Sequence, residues 1–155
     1  WRYRWPFVDN MAFGGYNKHF RPARTTRDWL TKDERIVDAY LADERCTFLF
    51  TLNGYYNLFH SIEEASKPEN LQKMPMDLPV LFVSGAEDPV GNFGKGVEQV
   101  RKAFQAVGME DVTWILYEND RHEILNETDR ATVYKDLYAW LYVRMNDPRR
   151  KTGGK

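Results

Sequence analysis

The chain has 155 residues, 43% hydrophobic and 29% charged, the composition of an ordinary globular protein of one or two small domains. Its 22 basic and 23 acidic side chains leave a formal net charge of −1, so no global field steers it to nucleic acid or to an anionic membrane. No run approaches the roughly 20 apolar residues of a membrane helix, and the single cysteine, Cys46, excludes an intramolecular disulfide framework and fits either a reducing compartment or a disulfide-free secreted protein. No stretch of these residues reads as a signal peptide, but the chain begins at Trp1 without a methionine, so its true N-terminus is expected upstream; the expected location is cytoplasmic. Aromatic residues make up 15%, which favours a large core or an apolar pocket.

Residues 1 to about 30 read as irregular, aromatic and basic, with Pro6, Gly14-Gly15 and Pro22 as breakers. Trp1-Arg2-Tyr3-Arg4-Trp5 interleaves basic and aromatic residues as single-stranded nucleic-acid binders do. With no basic face elsewhere, packing of those rings within the protein is the favoured reading, and no nucleic-acid partner is expected. Thr31 to Glu34 resembles a helix start, Thr31 as cap with Glu34 three residues on, followed by an apolar stripe of Ile36, Val37, Tyr40 and Leu41. The apolar stretch from Cys46 to Ile62 predicts a second helix, and residues 63–77 a polar, proline-containing linker.

From Leu78 to Met145 the pattern is strand, helix, strand, helix. The strands are Leu78 to Val83 and Val112 to Tyr117. The first helix places Val97, Val100, Phe104 and Val107 on one face and stops at Gly108. The second places Val133, Leu137, Trp140, Leu141 and Arg144 together. The basic tail, residues 148–155, is expected to be disordered. Val80 to Val83 lacks polar alternation, as strands do when helices cover both faces of a parallel sheet. Two strands cannot make such a sheet and leave an apolar edge open to association, with a second copy of the chain among the possible occupants. The expected fold is therefore α/β, the C-terminal part of a larger domain: residues 66–147 form core, and residues 1–65 a mostly helical region ahead of it.

Parallel strands joined by a crossover point their carboxyl ends to the same side of the sheet. The loops Ser84-Gly85-Ala86-Glu87-Asp88-Pro89 and Glu118-Asn119-Asp120-Arg121-His122-Glu123 should thus emerge side by side, although Asp88 and His122 are 34 positions apart (122 − 88). A carboxylate that fixes one ring nitrogen of a histidine is two thirds of a nucleophilic triad. Each residue alone has a plain alternative: Asp88 as a turn residue capping the next helix, His122 as a structural or solvated loop histidine. Gly91-Asn92-Phe93-Gly94-Lys95-Gly96 lacks the spacing of a phosphate-binding loop. His19, His60 and Cys46 show no metal-ligand spacing and read as structural; no cofactor is expected.

The segment from Leu78 through Asp88-Pro89-Val90-Gly91 resembles the acid loop of the monoacylglycerol lipase/lysophospholipase group of α/β-hydrolases, and Tyr117 through His122 to Glu127 resembles its histidine loop. Gly14 to Phe20 and Arg24 to Leu30 are similar to the lid of its bacterial members. The resemblance implies a serine hydrolase that cleaves carboxylic esters, with monoacylglycerols or lysophospholipids as substrates. Asp88 would orient the imidazole, and His122 would act as general base and acid. Residues 1–65 would form a lid or cap over a lipid-like or small ester substrate, with Phe13, Phe48 and Tyr55 as candidate substrate contacts. The family's nucleophile elbow, Gly-x-Ser-x-Gly, is absent: Ser61, Ser66 and Ser84 all lack the flanking glycines. The N-terminal half of the fold, with the nucleophile and oxyanion hole, is then expected outside this chain, which by itself should be inert. Two other readings remain open. One is a noncatalytic module that binds a partner through its sheet edge; the other is a half complemented by a separate chain across an interface larger than roughly 1,600 Å².

Overall fold

A computed structural model describes residues 2–147. Trp1 and the basic tail, 148–155, lie outside the described residues, and with them the expectation of a disordered tail.

The upstream region is mostly helical, as expected, and residues 1 to about 30, read as irregular, hold helical elements too. Helix α1 spans Pro6–Phe13, and Pro6 opens it rather than breaking the chain. Proline is well suited to a first helical position, where its missing N–H would have no partner. A 3₁₀ turn, Tyr16–His19, follows. Helix α2 covers Glu34–Ala42, and its cap is Asp33, whose carboxylate accepts the Arg35 amide, rather than Thr31. The Thr31 hydroxyl is engaged elsewhere, donating to the Asn126 carbonyl and accepting from the Asp33 amide. Helix α3 runs over Leu52–Ser66 and starts six residues later than expected. Thr51 sets that start by accepting the Gly54 amide at 3.1 Å, the bond of an N-terminal cap. The expected linker is largely helical too, since α3 extends into it and α4 occupies Pro68–Leu71.

The downstream region follows the expected alternation. Strand β1 spans Val80–Gly85, helix α5 Lys95–Ala106, strand β2 Val112–Tyr117 and helix α6 Arg130–Met145, with a 3₁₀ turn at Ile124–Asn126. The strands pair in parallel, Val80 opposite Val112 through Gly85 opposite Tyr117. Ser84 and Gly85 thus belong to the strand, not to the loop after it.

Alternation along β2 sends its residues to two helices. Trp114 lies under the Arg101 guanidinium of α5, and Phe82 beside it meets Phe104 edge-on at 5.1 Å. Thr113 and Tyr117 face the other way, toward Arg144 and Asp136 of α6. Helices on both faces are what the apolar β1 strand predicts. The Arg144 guanidinium forks onto Asp111 at 2.6 and 3.1 Å, fixing the end of α6 to the start of β2. Leu30, Val37, Ile124 and Val133 are among the buried apolar residues, and the Glu123 amide donates to the Leu30 carbonyl where the upstream region meets the end of the chain. Among the described residues, no helix is long and apolar enough to cross a membrane.

Candidate active site

The loop after β1 is built from its own residues. Asp88 Oδ1 accepts the Val90 amide at 2.8 Å, closing a tight turn on the carboxylate. The Phe93 amide returns to the Asp88 carbonyl at 2.8 Å, and the Gly96 amide to the Gly91 carbonyl at 2.9 Å. Three successive residues, Asn92, Phe93 and Gly94, have positive φ (49°, 56° and 81°), which turns the chain sharply into α5. Side chains other than glycine adopt that geometry at a cost, so the closed hydrogen bonds must over-determine it.

The loop after β2 crosses directly over the end of β1. The Glu87 amide donates to the Asp120 carbonyl at 2.9 Å. A Cβ at Gly85 would overlap the carbonyl oxygens of both Asp120 and Arg121, so only glycine permits this approach. From there the histidine loop leans on the upstream region. The amides of His122 and Glu123 donate to the carbonyls of Trp29 and Leu30, at 3.4 and 2.7 Å. Arg121 Nη1 donates to the Asp28 carbonyl at 2.5 Å and the Thr31 carbonyl at 3.4 Å, and its guanidinium covers the Phe20 ring at 4.3 Å. Beside it Asp120 is wholly buried; burial, followed by the neighbouring Asp129 and Glu127, pushes its carboxyl up to about 6, while Lys32 opposes the shift.

These two loops bring the expected pair together: His122 Nδ1 lies 3.1 Å from Asp88 Oδ2. The Asp88 side chain is 9% exposed and the His122 side chain 37%. An ionised carboxylate only accepts, so Nδ1 carries the proton and Nε2 presents a lone pair. That tautomer makes Nε2 a base toward a hydroxyl in front of it. Glu87, the other acid in the loop, turns away, its Oε2 3.7 Å from Arg121 Nε. None of the three serine hydroxyls is hydrogen-bonded to the imidazole; Ser66 donates to the Ile62 carbonyl at 2.7 Å, and Ser84 is buried in β1 without a partner. Among the described residues, no three His, Cys, Asp or Glu side chains are grouped to hold a metal ion.

Aromatic side chains extend from the imidazole into the upstream region. The Trp29 ring stands 5.2 Å from that of His122, Tyr16 lies 5.2 Å beyond it, and Phe13 follows at 6.0 Å. Burial, and then the negative charge of Asp88, raise the Tyr16 phenol above its ordinary value, so it stays a neutral donor. Trp29 also walls a cavity of about 270 Å³ lined by the rings of Phe13, Tyr40, Phe48 and Phe50 and by Asp9, Arg27, Arg45 and Cys46. Phe13 and Phe48 thus line one space, with Phe48 half open to solvent. Tyr55 is buried behind them, its ring 6.1 Å from Phe13 and 5.5 Å from Phe50 and its hydroxyl donating to Asp9 at 2.6 Å. A larger, charged cavity of about 570 Å³ lies across the histidine loop, lined by Arg21, Arg24, Lys32, Glu87 and Arg121; neither Asp88 nor His122 borders it.

Tyr16, Trp29 and Glu127 belong to this site without being among the expected residues. The lid resemblance spans Tyr16 and Trp29, but nothing in their spacing says which ring meets an imidazole 93 positions later (122 − 29). Glu127 ends the stretch that resembles the histidine loop, but nothing in the polar run of Asn126, Glu127, Thr128 and Asp129 marks its carboxylate as buried.

Comparison with known proteins agrees with this geometry. A model of the family described as serine aminopeptidase, S33, matches residues 6–129. Two solved structures share the fold: a highly thermostable carboxyl esterase from Bacillus coagulans in complex with glycerol (24% identity, TM-score 0.83, covering 91% of this chain and 46% of that one), and a lipase in its open form (24% identity, TM-score 0.76, 90% and 46%). The chain therefore spans about half the length of those relatives. No curated protein matches it. A parallel strand pair flanked by helices, an acid and a histidine at adjacent strand ends, and a family match over most of the chain agree: the chain belongs to the serine aminopeptidase S33 family and represents part of an α/β-hydrolase fold.

Proposed function

We propose that this chain is the acid- and histidine-bearing part of a serine hydrolase that cleaves carboxylic esters, with monoacylglycerols or lysophospholipids as substrates. The observation that carries the reading is the 3.1 Å contact between His122 Nδ1 and Asp88 Oδ2, at the carboxyl ends of paired parallel strands, where catalytic groups gather in open α/β sheets. A serine on the remaining part of the fold would attack the ester carbonyl while His122 Nε2 takes its proton. The imidazolium, stabilised by Asp88, would then protonate the departing alcohol and leave an acyl-serine. Water would enter by the same proton transfers, releasing the carboxylic acid and restoring the serine.

Residues 1–65 act as lid and 66–147 as core in this reading. The aromatic cavity beside Trp29 supports an apolar acyl group, and Phe13 and Phe48 are its contacts, with Tyr55 as their backing. The unpaired strand edges take the rest of the sheet, and the protein works in the cytoplasm without a cofactor. The chain alone is inert because no serine faces its imidazole.

The test is to extend the coding sequence upstream, express the longer product beside the 155-residue chain, and treat both with a fluorophosphonate probe. Labelling of the longer product alone, lost in His122→Ala, is expected. Failure of the longer product to label would end the hydrolase reading and favour a noncatalytic binding module.

A further inference from the structure

The Glu127 carboxylate is wholly buried, yet it makes no ion pair with any Lys or Arg side chain among the described residues. It is held instead by three backbone amides from two distant parts of the chain. Oε1 accepts the Arg121 amide at 3.0 Å and shares the Lys32 amide, at 3.2 Å, with Oε2 at 3.1 Å; Oε2 also takes the Thr128 amide at 3.3 Å. A buried charge held only by amides is costly to desolvate, and apolar packing of similar volume would stabilise a fold as well or better. What the carboxylate adds is direction, because each amide must point at it.

Those amides matter for where they lie. Arg121 directly precedes His122. Lys32 ends the segment whose carbonyls at Trp29 and Leu30 receive the amides of His122 and Glu123. One side chain thus fixes both the strip that carries the imidazole and the strip that carries the Trp29 indole against it. We propose that Glu127 is a positioning residue that sets the His122 imidazole and the Trp29 ring relative to each other and to Asp88. The role rests on the hydrolase reading above, but its geometric part can be tested without turnover.

Glu127→Gln is the informative variant. It keeps the size and one accepting oxygen, but turns an NH₂ toward amides that can only donate. Glu127→Asp keeps the charge on a shorter stem, and rescue by it would show that charge rather than reach matters. In the longer product, Glu127→Gln should lower kcat for p-nitrophenyl butyrate at least tenfold while KM moves less than about threefold, since a misplaced base chiefly affects the chemical step. In the same protein labelled with ¹⁵N-histidine, the Nδ1–H resonance of His122 should exchange faster with water, and its ring nitrogens should move toward a mixed tautomer. An unchanged tautomer and exchange rate in a folded Glu127→Gln protein, with activity falling only as the melting temperature falls, would overturn the proposal and leave Glu127 a structural anchor. If the parent longer product shows no esterase activity, the hydrolase reading fails, and the NMR comparison alone decides whether Glu127 positions the ring.

Discussion

The two loops that form the candidate site are held in opposite ways. The acid loop closes on itself: Asp88 binds the amide two residues on, and Phe93 and Gly96 return to carbonyls five residues back. The histidine loop has few such bonds and leans on Asp28, Trp29, Leu30, Thr31 and Lys32, some 90 positions away. Asp88 is consequently placed by local turn chemistry, whereas His122 goes where the upstream region holds it. A dyad assembled from one self-supporting and one dependent loop has a single weak side. Perturbations of the upstream segment should move the histidine and leave the acid in place.

Removing the contact between the loops has the largest expected effect. Asp88→Asn in the longer product should lower kcat by about 10⁴-fold, because an amide in place of the carboxylate favours the wrong imidazole tautomer. Near-full esterase activity in that variant would remove Asp88 from the site. Gly85→Ala comes next. Its Cβ collides with the Asp120 and Arg121 carbonyls, so the histidine loop must lift from the strand end. A displacement of about 1 Å costs on the order of 10²-fold in rate, and kcat measured beside far-ultraviolet circular dichroism would separate lifting from unfolding.

A pH experiment sharpens the same contrast. Asp120, in the dependent loop, has its carboxyl pushed up to about 6 by burial and by Asp129 and Glu127, against an ordinary 3.8. The folded state then holds that proton more tightly than the unfolded chain. The resulting stability is fully present below about 3.8 and lost as pH rises through about 6. Asp120→Asn should flatten that part of the curve, which urea midpoints at pH 4, 5, 6 and 7 would reveal; an identical slope in both proteins would place the titration elsewhere. Asp28, on the upstream side of the joint, behaves in the opposite sense. Burial raises its carboxyl, but bonds from the Thr25 hydroxyl and the Thr25 and Arg24 amides outweigh that and hold it below 3.8, so its contribution disappears only in stronger acid.

The smallest effect belongs to the self-supporting loop. Gly94 has a φ of 81°, and alanine there costs about 1–2 kcal/mol of backbone strain and presses on Leu116. Because that loop closes locally, Gly94→Ala should lower the melting temperature by a few degrees yet leave kcat within about twofold. A tenfold loss of turnover would mean that the acid loop also depends on its surroundings.

The strand–helix–strand–helix order could be read from the sequence because its signals are local: an apolar run, a 3.6-residue stripe and a terminating glycine at Gly108. The placement of an acid and a histidine at neighbouring strand ends follows from the same pattern, since parallel pairing sends both ends one way. The upstream helices were harder to place. The caps at Asp33 and Thr51 outcompeted the more obvious Thr31 and Cys46 starts, because Thr31 spends its hydroxyl on Asn126, 95 positions away.

The α/β character of residues 78–145, the turn that carries Asp88 and the lack of a nucleophile elbow in this chain are all legible in the residues alone. That Trp29 and Tyr16 stand by the dyad, that Glu127 is buried and that Gly85 must lack a side chain emerge only from the folded chain. The physical reason is range. Turns and periodic faces are written within a few residues, whereas the Glu127 carboxylate is enclosed only when the Lys32 amide, 95 positions away, reaches it.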